Sequence, residues 1–492
     1  MTAIDESSIR KAPPAPGAIE ANGINVIDES ERKGTSAGLF WPWCASNISV
    51  LAVSYGAFML SYGVGFGQAV IAGVIGVVGG FLLVGLVSIA GKRGSAPTLV
   101  LSRAPFGRYG NSLPGAVSYL LLVGWETVLV SLSTKAVATV FAQLGWSSGN
   151  GVKIVAFLLV AAAIVGAGVL GFDAIMRIQR WLTIAMLVVT AVYIVLTVDE
   201  IHWSRATDLS NGSTAAVIGA GILVLTGFGL GWVNTAADYS RYLPRNTRTG
   251  GVVFWPTIGG SLPVLILVGY GLLLCASSST LSDAVSGDPI GGLATVLPDW
   301  FLVPFVLVSV AGLISGAILD LYSSGLTLLT LGLKTPRFVA AGIDGVLMIL
   351  GTIYIVWIAA DNFLGIFEGF LITLGVPMAA WAGIFLADLL LRRRDYDEPA
   401  LYTASGRYAA VGWPAVLLMA AATVIGWGLV VEPYGAKGLG WLGYLLDPLG
   451  FDGGKASVWA GASLGVPLAL VIGFVGYLAA GAARVRAQER AS

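Results

Sequence analysis

The chain has 492 residues, of which 56% are hydrophobic and only 11% charged, and its formal net charge is zero. An ordinary soluble domain carries roughly 25% charged residues, so this composition marks a polytopic protein of the lipid bilayer. Without net charge or a long basic tract there is no case for nucleic acid as a partner. The two cysteines, Cys44 and Cys275, sit in apolar runs and argue for neither a disulfide framework nor a metal site.

In chain order, residues 1–38 are polar and lack the apolar stretch of a signal peptide, so they read as a cytoplasmic tail, disordered at least to Gly17. Apolar segments of spanning length, about 20 residues each, follow near 44–62, 68–91, 113–143, 152–171, 181–198, 215–234, 252–276, 301–331, 338–360, 363–391, 411–431 and 457–481. The expected architecture is therefore an all-α membrane protein with about twelve transmembrane helices over residues 39–482, closed by a short cytoplasmic tail, 483–492. The basic residues divide unequally between the two sets of connectors. One set, together with the termini, holds nearly all of them, including Lys92, Arg93, Arg103, Arg108, Arg241, Arg245 and the run Arg392 to Arg394, while the other holds only Lys153, Arg205, Lys437 and Lys455. The positive-inside rule then places both termini in the cytoplasm, across a cell (inner) membrane. The single histidine, His202, falls in a hydrophilic connector and reads as a loop residue.

Two segments carry unusual glycine punctuation. The first has Gly56, followed by Gly63, Gly65 and Gly67; the sixth has Gly227, Gly229 and Gly231. Glycine costs about 1 kcal/mol relative to alanine in a helix interior, and a broken helix is tolerated in a bilayer only where its freed backbone groups meet a cavity or a solute. Weak points five spans apart indicate a 5+5 inverted repeat with a binding site where the two breaks face each other. Repeat one then covers about 39–200, repeat two about 210–394, and the last two helices, about 408–482, are accessory. The backbone near Gly227 and Gly229 is expected to contact the substrate.

Among ionisable residues inside spans, where a charge costs at least about 2.5 kcal/mol and usually marks function, three stand out: Glu126, Lys135 and Asp320. Asp320 is expected at the site, with pairing to a neighbouring helix as the alternative. Glu126 is either a proton carrier or a partner for Lys135. Lys135 is nine residues further along the same helix, on the opposite face, and is expected to snorkel or pair elsewhere.

Five stretches carry a family resemblance. ADYSRYLP (Ala237 to Pro244), GLFWPWCASNISVLAVSYGA (Gly38 to Ala57), PTLVLSRAPFGRYGNSLP (Pro97 to Pro114), LDLYSSGLTLLTLG (Leu319 to Gly332) and GIFLADLLLRRR (Gly383 to Arg394) occur in the order seen in the nucleobase:cation symporters, and the chain resembles their purine-cytosine permease group. That resemblance implies a LeuT-like fold and cation-coupled import of cytosine, a purine or a related heterocycle. Allantoin, uracil, hydantoin and, on the same fold, amino acids remain alternative substrates. It implies that the ligand stacks between Trp125 on helix three and Phe228 on helix six, with Trp232 as the alternative, each ring contributing about 1–3 kcal/mol. Asp320 stands where the family often has an asparagine, and Leu129 where some relatives have an amide that reads the ring edge. For sodium, the resemblance maps Ala311 onto a carbonyl ligand and Ile314 and Ser315 onto hydroxyl ligands, of which only Ser315 keeps its oxygen. The first-helix ligands are expected between about Leu51 and Gly56, with Ser54 as a hydroxyl at the site. Sodium and proton are left open as the coupling ion, with Glu126 the candidate carrier for the latter. No cofactor is expected, and the resemblance leaves the oligomeric state open.

Other signals carry little. GAGVLG, Gly166 to Gly171, matches a dinucleotide-binding pattern but has no strand before it. Asp238, Arg241 and Arg245 read as the cytoplasmic closure of helix six, with the acid paired locally. No phosphate loop, zinc motif or nucleophile elbow supports an enzyme.

Overall fold

In the computed structural model the described residues are 23–170, 172–358, 363–404 and 406–490, with side chains described outside 168–180; they form helices and turns, with no strand among them. The expected tail up to residue 22, Gly171 of the discounted glycine motif, and the side chains of Arg177 and Arg180 lie outside the described residues. Among the described residues ten helices are long and apolar enough to cross a membrane, a pair bent by 65° adds another crossing, and the shorter apolar helix Trp413–Trp427 completes the series. In order, the spans are one (Phe40–Asn47 with Val50–Leu60), two (Phe66–Gly94), three (Ser112–Gln143), four (Asn150–Leu170), five (Phe172–Thr197) and six (Thr214–Ser240). They continue with seven (Thr249–Ala276), eight (Asp299–Thr330), nine (Arg337–Ile353, ending in a π turn, Tyr354–Ile358), ten (Phe363–Leu391), eleven (Trp413–Trp427) and twelve (Gly465–Arg490).

Spans one, two, six and seven pack into one group, and spans three, four, eight and nine into a second. Span ten joins eleven and twelve in a third. Of the ten unbroken spans, span ten is the most enclosed, with 78% of its apolar window buried against 28% for spans four, five and twelve, so those three face the lipid. Close helix approach depends on glycine at particular crossings. A Cβ on Gly271 of span seven would lie 1.9 Å from the carbonyl oxygen of Val53, and one on Gly229 would lie 2.0 Å from the carbonyl carbon of Gly80. Small residues are how membrane helices approach closely, since apolar side chains gain little by leaving lipid.

The first break does not fall where the glycines suggest. Val50–Leu60 is a regular helix that includes Gly56, and the interruption lies at Ile48 and Ser49. Ser49 is extended, and its hydroxyl accepts from the Leu51 N–H at 3.3 Å, an N-cap in the middle of a span. Gly56 packs on Gly271 instead, and Gly63 and Gly65 belong to the turn before span two. The carbonyls expected as ligands from Leu51 onward therefore lie inside a helix. In span six the break falls within the glycine run, at Phe228 (φ −120°, ψ −95°), after which the chain continues in short helical turns.

Polar contacts close the basic end of the bundle. The Arg32 guanidinium donates to the carbonyls of Leu243 (2.9 Å) and Lys92 (2.8 Å), drawing residues 23–38 against spans two and six. Glu29 accepts from Arg245, which holds its carboxyl below the ordinary range. Asp238 feels the charge of Arg241 three residues on, but its hydrogen bonds reach across helices. It accepts from both the N–H and the hydroxyl of Thr98, each at 2.8 Å, tying span six to the turn between spans two and three. Span twelve starts later than hydropathy suggests, after 3-10 turns at Gly454–Ala456 and Ala460–Ala462, and runs to Arg490. Its last turns are anchored where Arg392 donates to Gln488 at 2.9 Å and Glu489 accepts from the N–H groups of Arg393 and Arg394.

Candidate functional site

The two breaks meet across a cavity of about 50 Å³, several times the 10–15 Å³ a single water needs. Span one contributes Ser46, Asn47, Ser49 and Tyr55 to its walls, and span three contributes Trp125 and Leu129. Gly227, Phe228 and Trp232 come from span six, and Gly312, Gly316 and Asp320 from span eight. A polar interruption in span one thus faces an aromatic one in span six, and an acid faces both.

The rings are held by their neighbours. Phe228 lies 4.4 Å from Tyr55, centroid to centroid, at 43°. Gly227 leaves room for that tyrosine, because a Cβ there would lie 2.1 Å from the Tyr55 hydroxyl. Trp125 packs edge-on against Phe367 (5.5 Å) and Phe370 (5.9 Å) of span ten, so span ten closes one side of the tryptophan. Trp232 packs edge-on against Trp43 at 6.0 Å. Trp125 and Phe228 are 9% and 7% exposed, so each presents only a small part of its surface to the cavity.

Asp320 is buried and opens onto the cavity. Glu126, one position after Trp125, turns away from it. Its carboxylate accepts from the Ser324 hydroxyl of span eight at 3.0 Å, and Ser324 also hydrogen-bonds Asp344 of span nine. Glu126 and Asp344 are fully buried, and Lys135 lies 6.0 Å from the Phe363 ring centroid rather than beside Glu126. Among the described residues no cluster of acids, histidines or cysteines has the geometry to hold a metal ion.

Several expected residues stand elsewhere. The Ser54 hydroxyl donates to the Pro289 carbonyl at 2.8 Å and does not line the cavity. Gly229 packs on span two, outside the lining. Ala311 and Ser315 also lie outside it, and Ile314 lines an apolar groove on the other face of span eight. Span eight nonetheless runs beside the span-one break at this level: a Cβ on Gly312 would lie 3.9 Å from the Ile48 carbonyl oxygen. Ser46, Asn47, Ser49 and Tyr55 were not expected. The signal for the first three was the polar run SNIS, whose serine can cap a helix start within an otherwise apolar span. Asp344, the acid of span nine, was not among the expected residues either.

Residues 26–446 match a family model described as permease for cytosine/purines, uracil, thiamine, allantoin. The chain is 25% identical over 407 residues to YxlA of Bacillus subtilis, a protein named after the purine-cytosine permeases; the match covers 80% of this chain and 84% of that protein. It is 25% identical over 278 residues to the purine-cytosine permease FCY2 of Saccharomyces cerevisiae, covering 55% of this chain and 49% of that protein, about half its length. Its backbone is similar to Mhp1, a nucleobase-cation-symport-1 family transporter, in a closed conformation with bromovinylhydantoin bound; the TM-score is 0.68 at 17% identity, over 96% of this chain and 100% of that one. At that identity the likeness speaks for the fold, and it bears out the LeuT-like arrangement expected from the motifs.

Proposed function

The chain belongs to the family of permeases for cytosine/purines, uracil, thiamine and allantoin, and from that premise we propose that it is a proton-coupled importer of a planar nucleobase, cytosine or a purine. The cavity carries this reading: a flat, apolar-faced and polar-edged solute is what Trp125 and Phe228 can stack and Asp320 can hydrogen-bond from the side. An aspartate accepts from ring N–H groups and exocyclic amines, and cytosine and adenine offer both. With Leu129 beside Trp125, the polar reading of the ring falls to Asp320 and to Asn47, Ser46 and Ser49 at the span-one break.

A proton is favoured over sodium for two reasons. One of the two hydroxyl positions expected for a sodium site is Ile314, so the set of hard oxygen ligands is short. The buried pair Glu126 and Asp344 shares the Ser324 hydroxyl, whose single hydrogen serves one carboxylate, so the second contact calls for a proton on a carboxyl group. Both termini lie in the cytoplasm on this reading, and helices one and six close over the bound solute.

The test is uptake of radiolabelled nucleobases into proteoliposomes with proton and sodium gradients imposed separately. The expected result is accumulation of cytosine or a purine under an inward proton gradient, with a KM raised about 5- to 150-fold in Trp125→Ala, the equivalent of losing one stacking ring. Accumulation driven by sodium alone would overturn the coupling. No movement of any base under either gradient would overturn the substrate class.

A further inference from the structure

A second cavity, of about 550 Å³, lies at the basic end of the bundle, between spans two and seven on one side and spans ten and twelve on the other. Its wall is apolar, formed by Leu86, Ile89, Leu386, Leu390 and Phe474, and its rim carries Lys92, Arg93, Arg245, Arg392 and Arg393 with the single acid Asp395. We propose that this groove binds an anionic phospholipid, with the phosphate at the basic rim and an acyl chain along the apolar wall.

The charges on the rim are not equivalent. Arg392 is neutralised by Asp388 of its own helix at 2.9 Å, and Arg245 by Glu29 and Glu398. Arg93 spends its guanidinium on the carbonyls of Leu389 and Arg392 and on Asp395 at 3.4 Å. Lys92 donates only to uncharged oxygens, the Thr247 carbonyl at 3.1 Å and the Thr249 hydroxyl at 2.9 Å. The Arg393 side chain is exposed and makes no hydrogen bond or ion pair with a described residue. Lys92 thus has no ion pair, only the more distant field of Asp395, and with Arg393 it leaves the mouth of the groove with an excess of positive charge, which suits a phosphodiester in a bilayer surface. Leu390, 67% exposed, extends the wall in the direction of the lipid, which a small soluble anion has no use for.

The position matters for the transport cycle. The groove follows the seam between the group containing spans two and seven and the group containing spans ten and twelve, a seam otherwise crossed by the Arg93–Asp395 and Arg245–Asp395 ion pairs. A lipid seated there joins two bodies that must shift against each other in alternating access.

The experiment is native mass spectrometry of the purified full-length protein with phosphatidylglycerol and phosphatidylcholine carrying the same acyl chains, and with glycerol phosphate as soluble competitor. The wild type should retain phosphatidylglycerol in preference to phosphatidylcholine. Lys92→Gln and Arg393→Gln should each weaken that preference roughly fivefold, the worth of one cation near a membrane surface, with phosphatidylcholine retention unchanged. Arg393→Gln alone keeps the proposal testable, since its side chain holds nothing in the fold. Equal retention of the two lipids, or a preference that survives both substitutions, would overturn the proposal. Displacement of the lipid by glycerol phosphate would make this a soluble-anion site and overturn the assignment to lipid.

Discussion

Asp320 and Glu126 show how two acids on neighbouring helices take different tasks from their surroundings. Asp320 faces the cavity with Trp125 and Phe228, whereas Glu126 lies behind Trp125 on Ser324. Asp320→Asn keeps the shape of the site but exchanges an acceptor for an amide that also donates. It should shift preference among bases, by roughly 10-fold for one hydrogen bond to a charged group, measured as KM ratios for cytosine against uracil. Unchanged ratios would remove Asp320 from ligand recognition. Glu126→Gln should leave equilibrium binding of the base nearly intact, because the residue does not line the cavity. Its expected effect is that uptake no longer responds to a proton gradient, read as equal accumulation with and without an imposed pH difference. That Asp320 and Trp125 line the cavity was expected from the sequence, because one is an acid in an apolar run and the other follows a glycine on the helix where the family resemblance places an aromatic. The sharing of Ser324 by Glu126 and Asp344 was not, since it joins residues on three separate helices.

At the scale of the element, breaks and crossings use different chemistry. Span one is interrupted by a serine N-cap and span six by the backbone conformation of Phe228, while Gly56 and Gly271 let spans one and seven touch. Glycine alone does not distinguish a break from a crossing, because both need a missing side chain, and so the sequence reading placed the first break several residues too late. Gly271→Ala should lower the thermal unfolding midpoint in detergent, since its Cβ would lie 1.9 Å from the Val53 carbonyl and the two helices would have to separate; overpacking of this kind costs about 1–3 kcal/mol. Gly269→Ala, two positions away with open space around it, is the control and should be neutral. Equal effects at the two positions would mean that helix propensity, and not the crossing, decides the outcome.

For the whole molecule, spans ten and twelve are held together at the basic end by a buried ion pair. Asp388 and Arg392 are at most 3% exposed and lie 2.9 Å apart, and Tyr477 and Gln488 of span twelve complete their hydrogen bonds. Removing one member of such a pair strands the other charge in the interior, at about 3–5 kcal/mol. Asp388→Ala should therefore reduce the yield of monodisperse protein and lower its midpoint, while the double replacement Asp388→Leu with Arg392→Met should recover most of the loss. A double variant no better than the single would show that the pair's contacts, and not the stranded charge, are what span twelve requires.

Hydropathy and the asymmetry of basic residues determined the class of this protein and its number of crossings, because burial in lipid acts on each segment separately and leaves its mark in every 20-residue window. Motif order likewise determined the family. Only the tertiary structure decided which polar residues share the cavity, that Asp238 reaches Thr98, that Ser54 serves Pro289, and that five basic side chains from separate segments line one groove. Each of these depends on contacts between helices far apart in the chain, and the pattern along any one helix carries no information about which neighbour it will meet.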